Sequence, residues 1–211
     1  MKRIRVLLLA ASLLATLPPI AAWAFFKPIR IIAPQLNGVT CVDAICVESM
    51  ATLPAALQLH SEAMSNVAEK LRPLKSPPRA IFCSTRACYE PFGGAGRGIT
   101  VFHLGVVIPP DSWQTYMVEH EFIHMLQAQE LGLLGRERTP LWFKEGMPFF
   151  VSGPPPFDLP DYAKPLVEQY STWEQRVGRD NVLGRVWRAV GTADQSFKRT
   201  CVPHRACSWN V

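Results

Sequence analysis

The sequence predicts an α+β fold, with its strands gathered early and most of its helices late. Three observations carry that prediction. Short β-rich runs bounded by turn residues are confined to the first half of the 211 residues. One stripe of apolar residues at three- and four-residue spacing interrupts them, and four further helical segments follow them. The composition, 48% hydrophobic and 18% charged, is that of a core-forming chain and excludes a disordered tail or a fibrous repeat.

The elements follow in order. Residues 29–49 hold short apolar runs, 31–33 and 39–47, and read as one or two strands. Leu53, Leu57, His60, Met64, Val67 and Leu71 then mark one apolar face of a helix, which Pro73, Pro77 and Pro78 end. Residues 80–89 and 99–108 are β-rich, and the run Pro91-Phe92-Gly93-Gly94-Ala95-Gly96-Arg97-Gly98 joins them as the long turn of a hairpin. That run fits neither phosphate-binding glycine signature, and no helix follows it. A second helix begins near residues 110–112, where Asp111 or Ser112 can cap it, and Gly132 and Gly135 stop it. Thr139 and Pro140 supply a cap and a first-turn proline for a short segment over 141–151. After the proline-rich loop 152–160, two amphipathic helices are expected near 161–177 and 181–190.

The N-terminus has a separate purpose. Lys2, Arg3 and Arg5 precede the apolar run 6–17, and Ala22-Trp23-Ala24 follows it. Together these describe a secretory signal peptide over residues 1–24, leaving residues 25–211 as a single domain. Uncleaved, the same segment is about long enough to span a bilayer, and it is the only membrane contact foreseen. Its removal lowers the formal charge from +5 to about +2. The basic balance therefore implies no nucleic-acid partner. Oligomeric state cannot be read from the chain.

Six cysteines stand as Cys41/Cys46, Cys83/Cys88 and Cys201/Cys207. An even count in an exported chain reads as disulfides, and three local bridges are the simplest of the fifteen connectivities. A structural zinc site fits poorly, because C-x-x-C spacing is absent. Export places the protein in the periplasm or outside the cell.

The chemistry is concentrated in His120-Glu121-Phe122-Ile123-His124. Two histidines at i and i+4 project from one helical face, one turn apart, at a separation suited to one cation. Glu121 points beside that face and can reach water there without binding the metal. From the chain's own usage of His and Glu, such a motif is expected by chance about 0.006 times. A tetrahedral catalytic zinc needs a third protein ligand and an open position. Glu145 offers the third, 21 residues after His124 in Pro140-Leu141-Trp142-Phe143-Lys144-Glu145-Gly146. Its neighbours Trp142, Phe143, Met147, Phe149 and Phe150 make an unpaired carboxylate costly. Gly146 is expected to let this segment lie close to the histidine helix.

On His120, Glu121 and His124, then Trp142, Glu145 and Gly146, the sequence resembles the gluzincins, metallopeptidases of the thermolysin-like clan whose second motif reads W-x-x-E-G. The resemblance covers residues 99–151. It implies a compact zincin-like domain with a small N-terminal mixed sheet and a helical C-terminal part, in which 99–108 is the cleft-edge strand that pairs with an extended peptide or protein substrate. It further implies one Zn2+ held by His120, His124 and Glu145, with Glu121 as general base. The chain departs from the pattern at Pro148 and at Phe149, where some members carry an Asp that supports a ligand. Tyr162, Tyr170 and His204 are candidates for stabilising the oxyanion; His60 and His103 read as structural, and Tyr116 as packing.

Other chemistries fit less well. A di-iron bundle needs two Glu-x-x-His pairs, and Glu121–His124 is the only one that fits. No G-x-S-x-G is present for a serine hydrolase. The alternative reading is a catalytically weak or inactive zincin-fold scaffold of the cell envelope, and a third is a disulfide-stabilised interaction module without metal. Substrate, cleavage specificity and endo- or exopeptidase action are not legible.

Overall fold

The computed structural model describes residues 23–178 together with 199–200 and 208–209. Most of the expected signal segment, the helix expected at 181–190, the pair Cys201/Cys207 and His204 lie outside the described residues. The fold is α+β, as the sequence predicts.

Five short strands make one mixed sheet: β1 (Thr40–Val42), β2 (Ile45–Val47), β3 (Ala80–Phe82), β4 (Ile99–Val101) and β5 (Gly105–Ile108). Their order is β1-β2-β3-β5-β4. The β2–β3 and β3–β5 pairs are parallel, whereas β1 and β4 run antiparallel at the two edges. A separate antiparallel pair joins β6 (Arg199–Thr200) to β7 (Ser208–Trp209).

Successive side chains of a strand point to opposite faces, and both faces here are covered. Ile45, Val47, Ala80, Phe82, Val106 and Ile108 face α1 (Leu53–Lys70) and the long helix α3 (Thr115–Arg138). Cys46, Ile81 and Val107 face the other way, onto Ile31, Tyr89, Phe92 and Val101. Each fully buried Phe or Ile in these layers contributes about 1.5–3 kcal/mol.

Several expectations need correction. Residues 31–33 form no strand. Lys27–Ile32 is a 3-10 helix, and its preceding and following residues make no ladder. The α1 stripe is rotated: Ala56, His60, Ala63 and Val67 are buried, while Leu57 is 44% exposed. Residues 80–89 and 99–108 do not form a hairpin with each other. After β3 the chain turns into the short helix α2 (Arg86–Tyr89), and β3 pairs in parallel with β5. The hairpin is instead contained in 99–108, where β4 and β5 flank the turn 102–104 with Phe102 at φ 48°.

The second helix opens differently too. Pro110–Ser112 is a 3-10 turn, and α3 starts only at Thr115, with Gln114 rather than Asp111 or Ser112 at its cap. The chain leaves helical geometry at Gly132 (φ 68°, ψ 177°) but resumes it to Arg138, so Gly132 breaks the helix without ending it. Thr139 does not cap the segment that follows it; it is the C-cap of α3, its backbone N–H donating to the Arg136 carbonyl and its hydroxyl to the Gly135 carbonyl. The segment 141–151 is two pieces, α4 (Leu141–Lys144) and α5 (Gly146–Ser152), divided at Glu145. The last described helix is α6 (Lys164–Val177).

Cys41–Cys46 joins opposite residues of β1 and β2, and Cys83–Cys88 joins the end of β3 to α2. Such bridges belong to an oxidising compartment. No helix among the described residues is long and apolar enough to cross a membrane.

Candidate metal centre

Helix α3 places its two motif histidines by burying the rest of the turn. Val118, Phe122, Ile123 and Leu126 are in the core, which fixes the rotation of the helix. His120 and His124 are each 5% exposed, and their Nε2 atoms lie 3.1 Å apart. The i,i+4 spacing produces that approach directly.

Glu145 reaches the same point from the junction of α4 and α5. Its Oε2 lies 3.4 Å from His124 Nε2 and 3.9 Å from His120 Nε2. The junction is anchored from behind by rings of Trp142, Phe143, Tyr170 and Trp173. Gly146 serves this anchoring and not, as expected from sequence, the approach to α3: a Cβ there would stand 2.3 Å from the Leu166 carbonyl oxygen of α6.

His120, His124 and Glu145 thus bring three ligand atoms within 4.8 Å of one another. A zinc tetrahedron with bonds of about 2.0–2.1 Å has edges of about 3.3–3.4 Å. The three observed separations bracket that edge. Two imidazoles and a carboxylate also suit a borderline divalent ion, so the residues present fit one.

The three side chains perturb one another's protonation. Burial, with His124 and Arg97 nearby, holds His120 well below its ordinary pKa and keeps it neutral. Burial also opposes charge on His124, but hydrogen bonding and attraction to Glu145 outweigh it and raise the ring. Burial would raise the Glu145 carboxyl, yet its contact with His124 holds it below the usual carboxylate range.

Glu121 is buried and meets the sheet edge. Thr100 Oγ1 on β4 lies 2.6 Å from its Oε2 and 3.0 Å from its carbonyl oxygen. Gly98 makes room for the carboxylate, since a Cβ there would be 2.3 Å from Oε1. Burial raises the Glu121 pKa, with His124 and Thr100 opposing. The end of the glycine run is therefore part of the site, a role the sequence did not show.

The other candidates separate clearly. Tyr162 is 64% exposed and meets Phe149 edge to face, and Phe149 covers the His120 ring at 4.3 Å between centroids. The Tyr162 pKa is raised by burial and by the carboxylates of Glu145 and Glu121. Tyr170 is wholly buried in the aromatic anchor. His60 is buried against Phe122, with Nε2 3.0 Å from the Pro78 carbonyl oxygen, and is structural as expected. His103 is exposed in the 102–104 turn rather than within a strand. Arg97 donates to the Asp158 carbonyl at 2.8 Å and pairs with its carboxylate at 2.7 Å, tying the glycine run to the proline-rich loop.

No protein-family model matches the chain, and neither a curated protein nor a solved structure is significantly similar to it.

Proposed function

We propose that this chain is an exported zinc-dependent peptidase of gluzincin type. The observation that supports the reading is the convergence of His120, His124 and Glu145, with Glu121 buried one residue after His120 on the same helix. His120, His124 and Glu145 would hold the ion. When bound, zinc polarises a carbonyl oxygen and makes water acidic near neutrality.

The chain's own residues supply the rest. β4 is an edge strand, so its free backbone groups are available to an extended peptide laid alongside it. Glu121 accepts a proton from the attacking water as the new C–O bond forms. The same proton then passes to the amide nitrogen as the C–N bond breaks, leaving a free amine and a carboxylic acid whose remaining proton ionises to solvent or to the amine. The raised pKa of Glu121 suits it to both halves of that transfer. Tyr162, whose ring meets the Phe149 ring that covers His120, is the proposed donor to the oxyanion.

One observation favours the second reading, a zincin-like scaffold with weak or no turnover. His120 Nδ1 is buried without a hydrogen-bond partner among the described residues, and Phe149 stands where a supporting carboxylate would hold that ring. Digestion of a mixed peptide library by the zinc-loaded protein, read by mass spectrometry with a chelated control, separates the two. Metal-dependent cleavage that disappears in Glu121→Gln, with zinc still bound, supports the peptidase. Zinc binding without any cleavage overturns it in favour of the scaffold. No zinc binding overturns both.

A further inference from the structure

Gln127 follows His124 by one helical turn and is 1% exposed, a buried amide in an otherwise apolar stretch. Its side chain has two polar neighbours. One amide atom lies 3.2 Å from His124 Nδ1, and the other lies 3.0 Å from the Phe143 carbonyl oxygen. The amide nitrogen is also 3.7 Å from the Met147 sulfur.

The chemistry of these neighbours fixes which atom faces which. A backbone carbonyl oxygen only accepts, so the Gln127 NH2 must point at Phe143. The Gln127 oxygen therefore faces His124, and because it too only accepts, His124 Nδ1 must carry the hydrogen. In the neutral ring the lone pair then lies on Nε2. That is the nitrogen 3.4 Å from Glu145 Oε2 and 3.1 Å from His120 Nε2.

We infer that Gln127 is a positioning residue of the metal centre, which locks the metal-binding tautomer of His124 and clamps that ring to the segment carrying Glu145. Phe143 stands two residues before Glu145 and Met147 two residues after it, so the clamp spans the third ligand from both sides. In this chain a neutral amide performs the support that outer-sphere groups give to ligating histidines. Among the described residues His120 has no such partner: its Nδ1 is unpaired and its ring packs against Phe149. The two histidines are therefore unequally held.

The inference rests on the metal-centre part of the proposed function and is independent of peptidase activity. It is tested with Gln127→Leu, which can neither accept from His124 nor donate to Phe143, and with Gln127→Glu, which keeps the acceptor. Two readouts are taken: zinc affinity by chelator competition, and the His124 Nδ1–H resonance in imidazole nitrogen-15 spectra. Q127L should bind zinc about ten- to a hundredfold more weakly and lose the exchange-protected Nδ1–H. Q127E should keep that resonance and bind zinc within about tenfold of the parent. Zinc binding by Q127L within about twofold of the parent overturns the inference. So does an unchanged Nδ1–H signal in Q127L, or a loss in Q127E as large as in Q127L. Should Q127L not fold, Q127E decides alone, because its Nδ1–H is either kept or lost. A parent protein that binds no zinc defeats the metal reading, while the Nδ1–H comparison still decides the role of Gln127.

Discussion

The hydroxyl of Thr100 lies 2.6 Å from the Glu121 carboxylate, so the edge strand of the sheet and the acid of the motif are in direct contact. A peptide paired along β4 would lie on the strand that also holds Glu121, the proposed general base. Removing the hydroxyl should therefore cost rate without costing metal. In Thr100→Val, a substitution of equal shape, the buried carboxylate loses a charge-assisted hydrogen bond of about 1.5–3 kcal/mol. We expect turnover to fall about ten- to a hundredfold, with one zinc per chain retained. Single-turnover rates beside metal analysis check this, and a variant that loses its zinc would show that Thr100 supports the ligands instead.

Gly98 makes a sharper test, because its effect is steric. An alanine Cβ would meet Glu121 Oε1 at 2.3 Å and its Cδ at 2.6 Å. The carboxylate cannot stay where it is. Gly98→Ala should abolish hydrolysis while zinc affinity and fold are kept. Gly96→Ala is the control from the same loop, since nothing lies within 4 Å of its added Cβ. Its stability should stay within about 0.5 kcal/mol of the parent, and its activity should be unchanged.

The Arg97–Asp158 pair joins two loops that flank the cluster. Both side chains are partly exposed, so the pair contributes under about 1 kcal/mol to global stability. Its value is local. Arg97→Ala removes both the ion pair and the bond to the Asp158 carbonyl, and amide exchange across residues 153–160 should accelerate with little change in melting temperature. Unaltered exchange there would mean that the proline-rich loop is held by other contacts.

What the sequence revealed and what it hid follow from the range of the interactions. His120 and His124 were legible because one helical turn fixes their relation, and Glu145 because a carboxylate among aromatic residues needs a partner. Gly146 was singled out correctly but given the wrong neighbour: its missing side chain admits the Leu166 carbonyl of α6, a contact between segments that no local pattern encodes. Thr100 and Gly98 were invisible for the same reason, being brought to Glu121 only by the pairing of β4 at the sheet edge. Gln127 did leave a signal, a buried-type position one turn after His124 on the same face, but its two bonds depend on where Phe143 lies. The strands misread at 80–108 fail on topology. Both runs are β-rich, and nothing in them states that β3 pairs in parallel with β5 while β4 folds back at Phe102.

His60 is a buried histidine outside the metal centre. His60 lies against Phe122 on the core side of α3, and burial lowers its pKa, partly offset by its bond to the Pro78 carbonyl. The folded chain therefore resists protonating His60, whereas the unfolded chain takes up that proton near pH 6.5. Below that pH the unfolded state binds more protons than the folded one, so stability rises with pH across the interval and its His60 part is fully present above it. Full protonation of one such group would change stability by about 1.4 kcal/mol per pH unit within the window. In His60→Gln, which can still donate to Pro78 but does not titrate there, the dependence of the urea midpoint on pH between about 6.5 and 5 should flatten. Metal binding has its own pH dependence, so both proteins are compared in chelator. An identical slope in the two would show that His60 stays solvated enough to protonate in the folded chain.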